Sequence, residues 1–239
     1  TTPHATGIRP YAPGDPYNRI HWKSTARQGN LQVKEFDLEQ TADVWLFVDM
    51  QRSVQFGHGE ESTVEYGVRI AASIAARALL ENRNVAMSAS GARIQPLPPD
   101  RGARQYQKVM EVLAGVQGDG DQPLVDVLVE GTRHLRRGMT AIVITPSADR
   151  AWVRPLTALR GRGVETVTIL LDAPSFAAEA RREQSAVVDD GTIETTQRAA
   201  RALRYALAEY DLKWHTILPL EPISGQLMTR RGRPMASVA

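Results

Sequence analysis

The chain has 239 residues, 42% hydrophobic and 23% charged, enough for one large domain or two small ones with a sizeable core. With no cysteine, it has no disulfide framework, no thiolate nucleophile and no Cys-ligated zinc. A formal charge of +2 and a pI near 9.0 are too weak a surplus to argue nucleic-acid binding by themselves.

The first stretch, residues 7–34, combines five cations (Arg9, Arg19, Lys23, Arg27, Lys34) with Tyr11, His21 and Trp22 against one carboxylate, Asp15. Residues 11–16 read as a turn, in which Pro13 fixes φ and Gly14 frees the backbone. Residues 19–23 are too short and mixed to predict a helix. The turn at 28–30 leads into 31–36, whose alternation predicts a half-buried strand.

Residues 44–49 form a continuous apolar run ending in a carboxylate, the pattern of a buried central strand. Ser62 and Glu65 make a capping box that opens a helix through Leu80. The spacing then predicts a strand at 84–89, a hairpin partner at 92–97, and helices at 103–113 and 124–135. A strand at 140–145, a helix at 152–160, a strand at 164–171, a helix at 197–209 and a strand at 214–218 follow. Alternating strands and helices predict an α/β fold with a mainly parallel, doubly wound sheet. The expected division is a signature segment at 1–40 packing on the sheet, an α/β domain at 41–222 and a basic tail at 223–239.

The pattern Arg9-x-Tyr11-x-Pro13-Gly14-Asp15-x-x-Asn18-Arg19-Ile20-His21-Trp22-Lys23-x-Thr25-Ala26-Arg27 resembles the signature of a bacterial family, domain of unknown function 58 (DUF58). The resemblance implies a von Willebrand factor A-like (Rossmann-like) sheet with helices on both faces, preceded by the basic-aromatic segment. It implies no enzymatic activity, and it implies work beside a MoxR-type AAA+ ATPase in assembly or maturation. No apolar run approaches the roughly 20 residues of a bilayer-spanning helix, and nothing resembles a signal peptide. A cytoplasmic location is expected. The start at Thr1 rather than Met leaves open that the chain is the C-terminal part of a longer protein, tethered to a membrane upstream.

A von Willebrand A sheet holds Mg²⁺ through Asp-x-Ser-x-Ser after its first strand, a later Thr and a later Asp, because Mg²⁺ wants hard oxygen donors. Here Asp49 and Ser53 match, but Gln51 replaces the middle Ser, Pro123 falls where the Thr is expected, and Pro146 where the Asp is. Arg52 adds a cation. No metal or other cofactor is therefore expected, and Asp49 reads as a strand-end carboxylate that caps backbone N–H groups or pairs with an arginine; the alternative is a Mg²⁺-dependent von Willebrand A-type adhesion domain using Asp49 and Ser53.

In the first stretch, His21 as a general base lacks a visible nucleophile. The alternative is that His21 and Trp22 lock the segment in place while Arg9, Arg19 and Arg27 pair with carboxylates elsewhere. Exposed, the same set (Arg9, Tyr11, Gly14, Asp15, Arg19, His21, Trp22, Lys23 and Arg27) would be a partner-binding surface, because Trp, Tyr and Arg dominate interface hot spots. Nucleic-acid binding through residues 9–34 is the remaining alternative. No P-loop follows the first strand, since Gly57-His58-Gly59 lacks the Lys and Ser/Thr.

Overall fold

The computed structural model describes residues 5–13, 15, 17–36, 43–90, 96–182 and 189–229. They fall into two compact units, Thr1–Thr41 and Ala42–Ala239.

In the first unit, strand β1 (Ala5–Pro10) pairs antiparallel with β2 (Gln32–Phe36), bringing Arg9 opposite Val33. The other edge of β2 receives Ile20, bridged to Val33, and the His21 N–H, which donates to the Gln32 carbonyl at 2.8 Å. Ile20 and Val33 are both buried. A 3-10 turn, Tyr17–Arg19, precedes helix α1 (Trp22–Gln28). The sequence reading misses this helix because it has no apolar stripe and none of its residues is buried. Its ends define it instead. His21 caps the N-terminus, and Gly29, at φ 70°, closes the C-terminus by donating to the Thr25 carbonyl at 2.9 Å.

The second unit is built on a six-stranded sheet in the order β5-β4-β3-β6-β7-β8, parallel except for the β5 edge. The strands are β3 (Val44–Val48), β4 (Val85–Ala89), β5 (Leu97–Asp100), β6 (Thr140–Thr145), β7 (Glu165–Leu171) and β8 (Lys213–Ile217). The expected mainly parallel α/β architecture holds. Helices α2 (Thr63–Leu80) and α3 (Gly102–Gly115) cover one face, where Val44, Leu46 and Val48 pack with Ile70, Ala71 and Val109. Helices α4 (Leu124–Gly131), α5 (Val153–Gly161) and α7 (Asp190–Glu209) cover the other, where Trp45 and Phe47 meet Leu128, Leu156 and Leu207. Burial on both faces explains why β3 reads as an unbroken apolar run. Each such side chain contributes about 1.5–3 kcal/mol of transfer free energy.

Several expected elements are corrected. Residues 92–95 lie outside the described residues, and the strand that pairs with β4 is Leu97–Asp100, so Pro98 and Pro99 sit within it. An edge strand tolerates proline because one row of its N–H groups has no ladder partner. Helix α4 stops at Gly131, where a Cβ would lie 2.4 Å from the Phe47 ring. Helix α6 (Ala173–Arg182) was not expected, and α7 starts earlier than position 197. Residues 223–229, read as the start of a basic tail, form α8 (Ile223–Thr229). Gln226 latches α8 by accepting from the Leu218 N–H at 2.7 Å and donating to the Leu218 and Glu221 carbonyls at 3.0 Å. The basic residues 230–233 lie outside the described residues.

Candidate functional site

Two places in the molecule gather the residues singled out by the sequence. The first is the carboxyl end of the central strands. From β3 the chain crosses to β4 on one side and later returns to β6 on the other, so β3 and β6 flank the topological switch point of the sheet. Asp49 follows β3 and Thr145 ends β6 at that point.

Asp49 is only 2% exposed. Its Oδ2 accepts from the Thr145 hydroxyl at 2.6 Å, and its Oδ1 accepts from the Gln51 N–H at 3.1 Å. Thr145 Oγ1 in turn accepts from the Ser147 N–H at 2.8 Å, and Ser90 Oγ accepts from the Met50 N–H at 2.8 Å while facing Asp49. Burial pushes the Asp49 carboxyl above its ordinary range; hydrogen bonds from Thr145, Gln51 and Ser90 pull the other way without cancelling it.

The loop 118–121 is zipped against this rim. The Gly120 N–H donates to the Met50 carbonyl at 3.0 Å, and the Arg52 N–H donates to the Gly120 carbonyl at 2.8 Å. A Cβ at Gly120 would lie 1.7 Å from the Ser90 carbonyl oxygen, so only glycine fits. Arg52 does not pair with Asp49: its guanidinium donates to the Asp119 carbonyl at 3.1 Å. Gln51 Nε2 donates to Ser53 Oγ at 2.8 Å, which leaves Ser53 exposed and serving its neighbour. Pro123 starts α4, and Asp149 accepts from the Ala151 N–H at 2.9 Å.

A Mg²⁺ ion asks for octahedral oxygen donors, usually one or two carboxylates with several waters. At the β3–β6 junction the buried carboxylate is that of Asp49, already engaged by protein donors. Among the described residues no three His, Cys, Asp or Glu side chains gather into a ligand set. The residues present do not fit a divalent-cation site of that type.

The second place is the first unit. Arg9 and Asp15 form a two-pronged ion pair, with Nη1 and Nη2 each donating at 2.8 Å, and Asp15 also accepts from the Ala12 N–H. The arginine therefore has a carboxylate partner inside its own segment. Tyr11 stacks on Tyr17 with ring centroids 5.9 Å apart. His21 Nδ1 accepts from the Ser24 N–H at 3.2 Å and meets Ser24 Oγ at 2.8 Å, so that nitrogen is occupied by helix capping and is not held ready as a base.

Trp22 is 67% exposed and Tyr17 72% exposed. Lys23 and Arg27, one turn apart on α1, are exposed as well. Gly14 and the side chain of Arg19 lie outside the described residues. The sequence reading missed Tyr17 and Ser90, and it met Thr145 and Gly120 only as positions in the metal-site pattern. Only Gly120 carried a local signal, its place in the Gly-Asp loop.

Comparison with known proteins agrees with this architecture. Uncharacterized protein Rv1480 of Mycobacterium tuberculosis (strain ATCC 25618 / H37Rv) is 32% identical over 165 residues, covering 64% of this chain and 50% of that protein. Uncharacterized protein YeaD of Bacillus subtilis (strain 168) is 26% identical over 120 residues, covering 50% of this chain and 28% of YeaD. The chain thus spans about half the length of the mycobacterial relatives it matches. The crystal structure of conserved hypothetical protein BatB from Bacteroides thetaiotaomicron superposes with a TM-score of 0.51 at 15% identity. That match covers 78% of this chain and 94% of BatB, a likeness of fold. The family model described as protein of unknown function DUF58 matches residues 7–205, and the chain belongs to that family.

Proposed function

We propose that this chain is a non-enzymatic protein-interaction module whose contact surface is the aromatic and cationic face of its first unit, centred on Trp22. One observation carries the reading: Trp22, 67% exposed, shares with Lys23 and Arg27 a short helix that buries none of its own residues, and Tyr17, 72% exposed, sits in the turn before it. Large aromatics seldom stay exposed without a use, and Trp, Tyr and Arg supply most hot-spot energy when a partner covers them. The Arg9–Asp15 pair and the two helix caps hold that face in shape beforehand, which lowers the ordering cost of binding.

The family resemblance supplies a MoxR-type AAA+ ATPase as the partner to test, in an assembly or maturation role. It also supplies a von Willebrand A-like description of the sheet and a membrane tether upstream of Thr1. Among the described residues no helix is long and apolar enough to cross a membrane. A cation-free rim belongs to the same reading, supported by the Asp49 carboxylate, which is buried and hydrogen-bonded to Thr145 and Gln51.

The test is co-elution of the purified chain with a MoxR-type ATPase from the same organism, with nucleotide present. Trp22→Ala removes co-elution while the variant melts like the parent. Co-elution that survives in Trp22→Ala and in Lys23→Glu/Arg27→Glu contradicts the proposed surface.

A further inference from the structure

At the opposite end of the sheet from Asp49, the structure forms a cavity of about 470 Å³ over the start of β3. Its floor is Trp45, with His134 stacked on the indole at a centroid distance of 5.4 Å and an interplanar angle of 13°. The Trp45 indole is fixed in place because Nε1 donates to Ser88 Oγ on β4 at 3.1 Å. Pro96 and Pro98 line the facing wall.

Arg133 and Arg136 join Pro99 and Met139 in the lining, and no lining residue is acidic. Both arginines are exposed, and among the described residues neither has an ion-pair partner. The turn that carries them is tied down by hydrogen bonds. Arg162 donates to the Thr132 carbonyl at 3.0 Å and to the Leu135 carbonyl at 2.9 Å, while the His134 N–H donates to the Gly131 carbonyl at 3.1 Å.

Two exposed guanidinium forks and no lining carboxylate favour an anion, and the planar fork matches phosphate oxygens two at a time. A flat aromatic floor with a prolyl wall favours a planar ring, since stacking on aromatic faces tolerates any base. The volume lies within the range of small-ligand sites. We propose that this cavity binds a small phosphorylated ligand carrying a planar ring, of the nucleotide class, with Arg133 and Arg136 on the phosphate and the His134–Trp45 stack under the ring.

The site is separate from the Asp49 rim, and it does not depend on the contact surface proposed for the first unit. It uses no glycine-rich phosphate loop, which is why no nucleotide motif is visible in the sequence.

Calorimetric titration of the whole chain with AMP, GMP and ATP at low salt tests the assignment. Inorganic phosphate and phosphatidylglycerol vesicles serve as the other phosphate sources. Saturable binding of at least one nucleotide is expected, with inorganic phosphate about tenfold weaker or more because it lacks the ring. Arg133→Ser/Arg136→Ser weakens nucleotide binding about tenfold or more without moving the melting temperature. His134→Ala weakens nucleotide but leaves phosphate unchanged. The proposal is overturned if no nucleotide binds, if the double variant binds as the parent does, or if phosphate or the vesicles bind as tightly as every nucleotide.

Discussion

Thr145 donates its hydroxyl proton to Asp49 across the junction of β6 and β3, at 2.6 Å and from 96 residues away in sequence. That bond answers the question posed by a buried carboxylate at the switch point of the sheet. Asp49 is held by the protein's own hydroxyl and amide donors, which offset part of the cost of burying it. If Thr145 is replaced by Val, Asp49 Oδ2 loses its donor and the Ser147 N–H its acceptor. A loss of about 2–3 kcal/mol in urea-measured stability is expected.

The raised pKa of Asp49 gives a pH signature. Folding makes this acid hold its proton more tightly, so the unfolded chain ionises first, from its ordinary value of 3.8. Stability contributed by the protonated form is therefore lost as pH climbs from that value towards the raised folded one, and it stays lost above it. Asp49→Asn removes this titration. The variant should melt at or above the parent temperature near neutral pH, with the advantage vanishing below about pH 4. Calorimetric melts across that range provide the check; a variant that is less stable at neutral pH than at acid pH, relative to the parent, contradicts the account.

Gly120→Ala should be among the most damaging substitutions in the second unit. The added methyl meets the Ser90 carbonyl oxygen at 1.7 Å, and backbone lies on both sides. Relief requires prising the loop from Met50 and Arg52, at a cost of about 3 kcal/mol or more. Chemical denaturation measures it, and a variant within 0.5 kcal/mol of the parent, the roughly neutral range for surface changes, would mean that the loop is not zipped to the rim.

Gln226→Ala should free α8 from the turn after β8, because one side chain satisfies three backbone groups there. The expected loss is about 2 kcal/mol. Hydrogen exchange should speed up at the Leu218 amide, while the β3 amides exchange at a rate that follows the drop in global stability alone.

Much of the fold is legible in the residues themselves. β3 is a continuous apolar run because both faces are covered, β4, β6 and β7 are rich in Val, Ile, Leu and Ala, and α2 announces itself with the Ser62 cap, whose Oγ accepts from the Glu65 N–H at 3.2 Å. The elements that escape are those whose cause is not periodicity. Helix α1 exists through His21 and Gly29 at its ends, and β5 carries prolines that read as a stop signal until its edge position is known. The same holds for the sites. Asp49 could be found from its place at the end of a strand, but Thr145 and Ser90 join it only through the register of the parallel strands. The exposure of Trp22, on which the functional reading turns, is a tertiary property that composition does not carry.

The most direct test of that reading is the affinity of the purified chain for a MoxR-type ATPase, measured by calorimetry for the parent and for Trp22→Ala. The account predicts at least a tenfold loss, about 1.4 kcal/mol, with a melting temperature unchanged by the substitution. Equal affinities for the two proteins, or no measurable affinity in the parent, would contradict it.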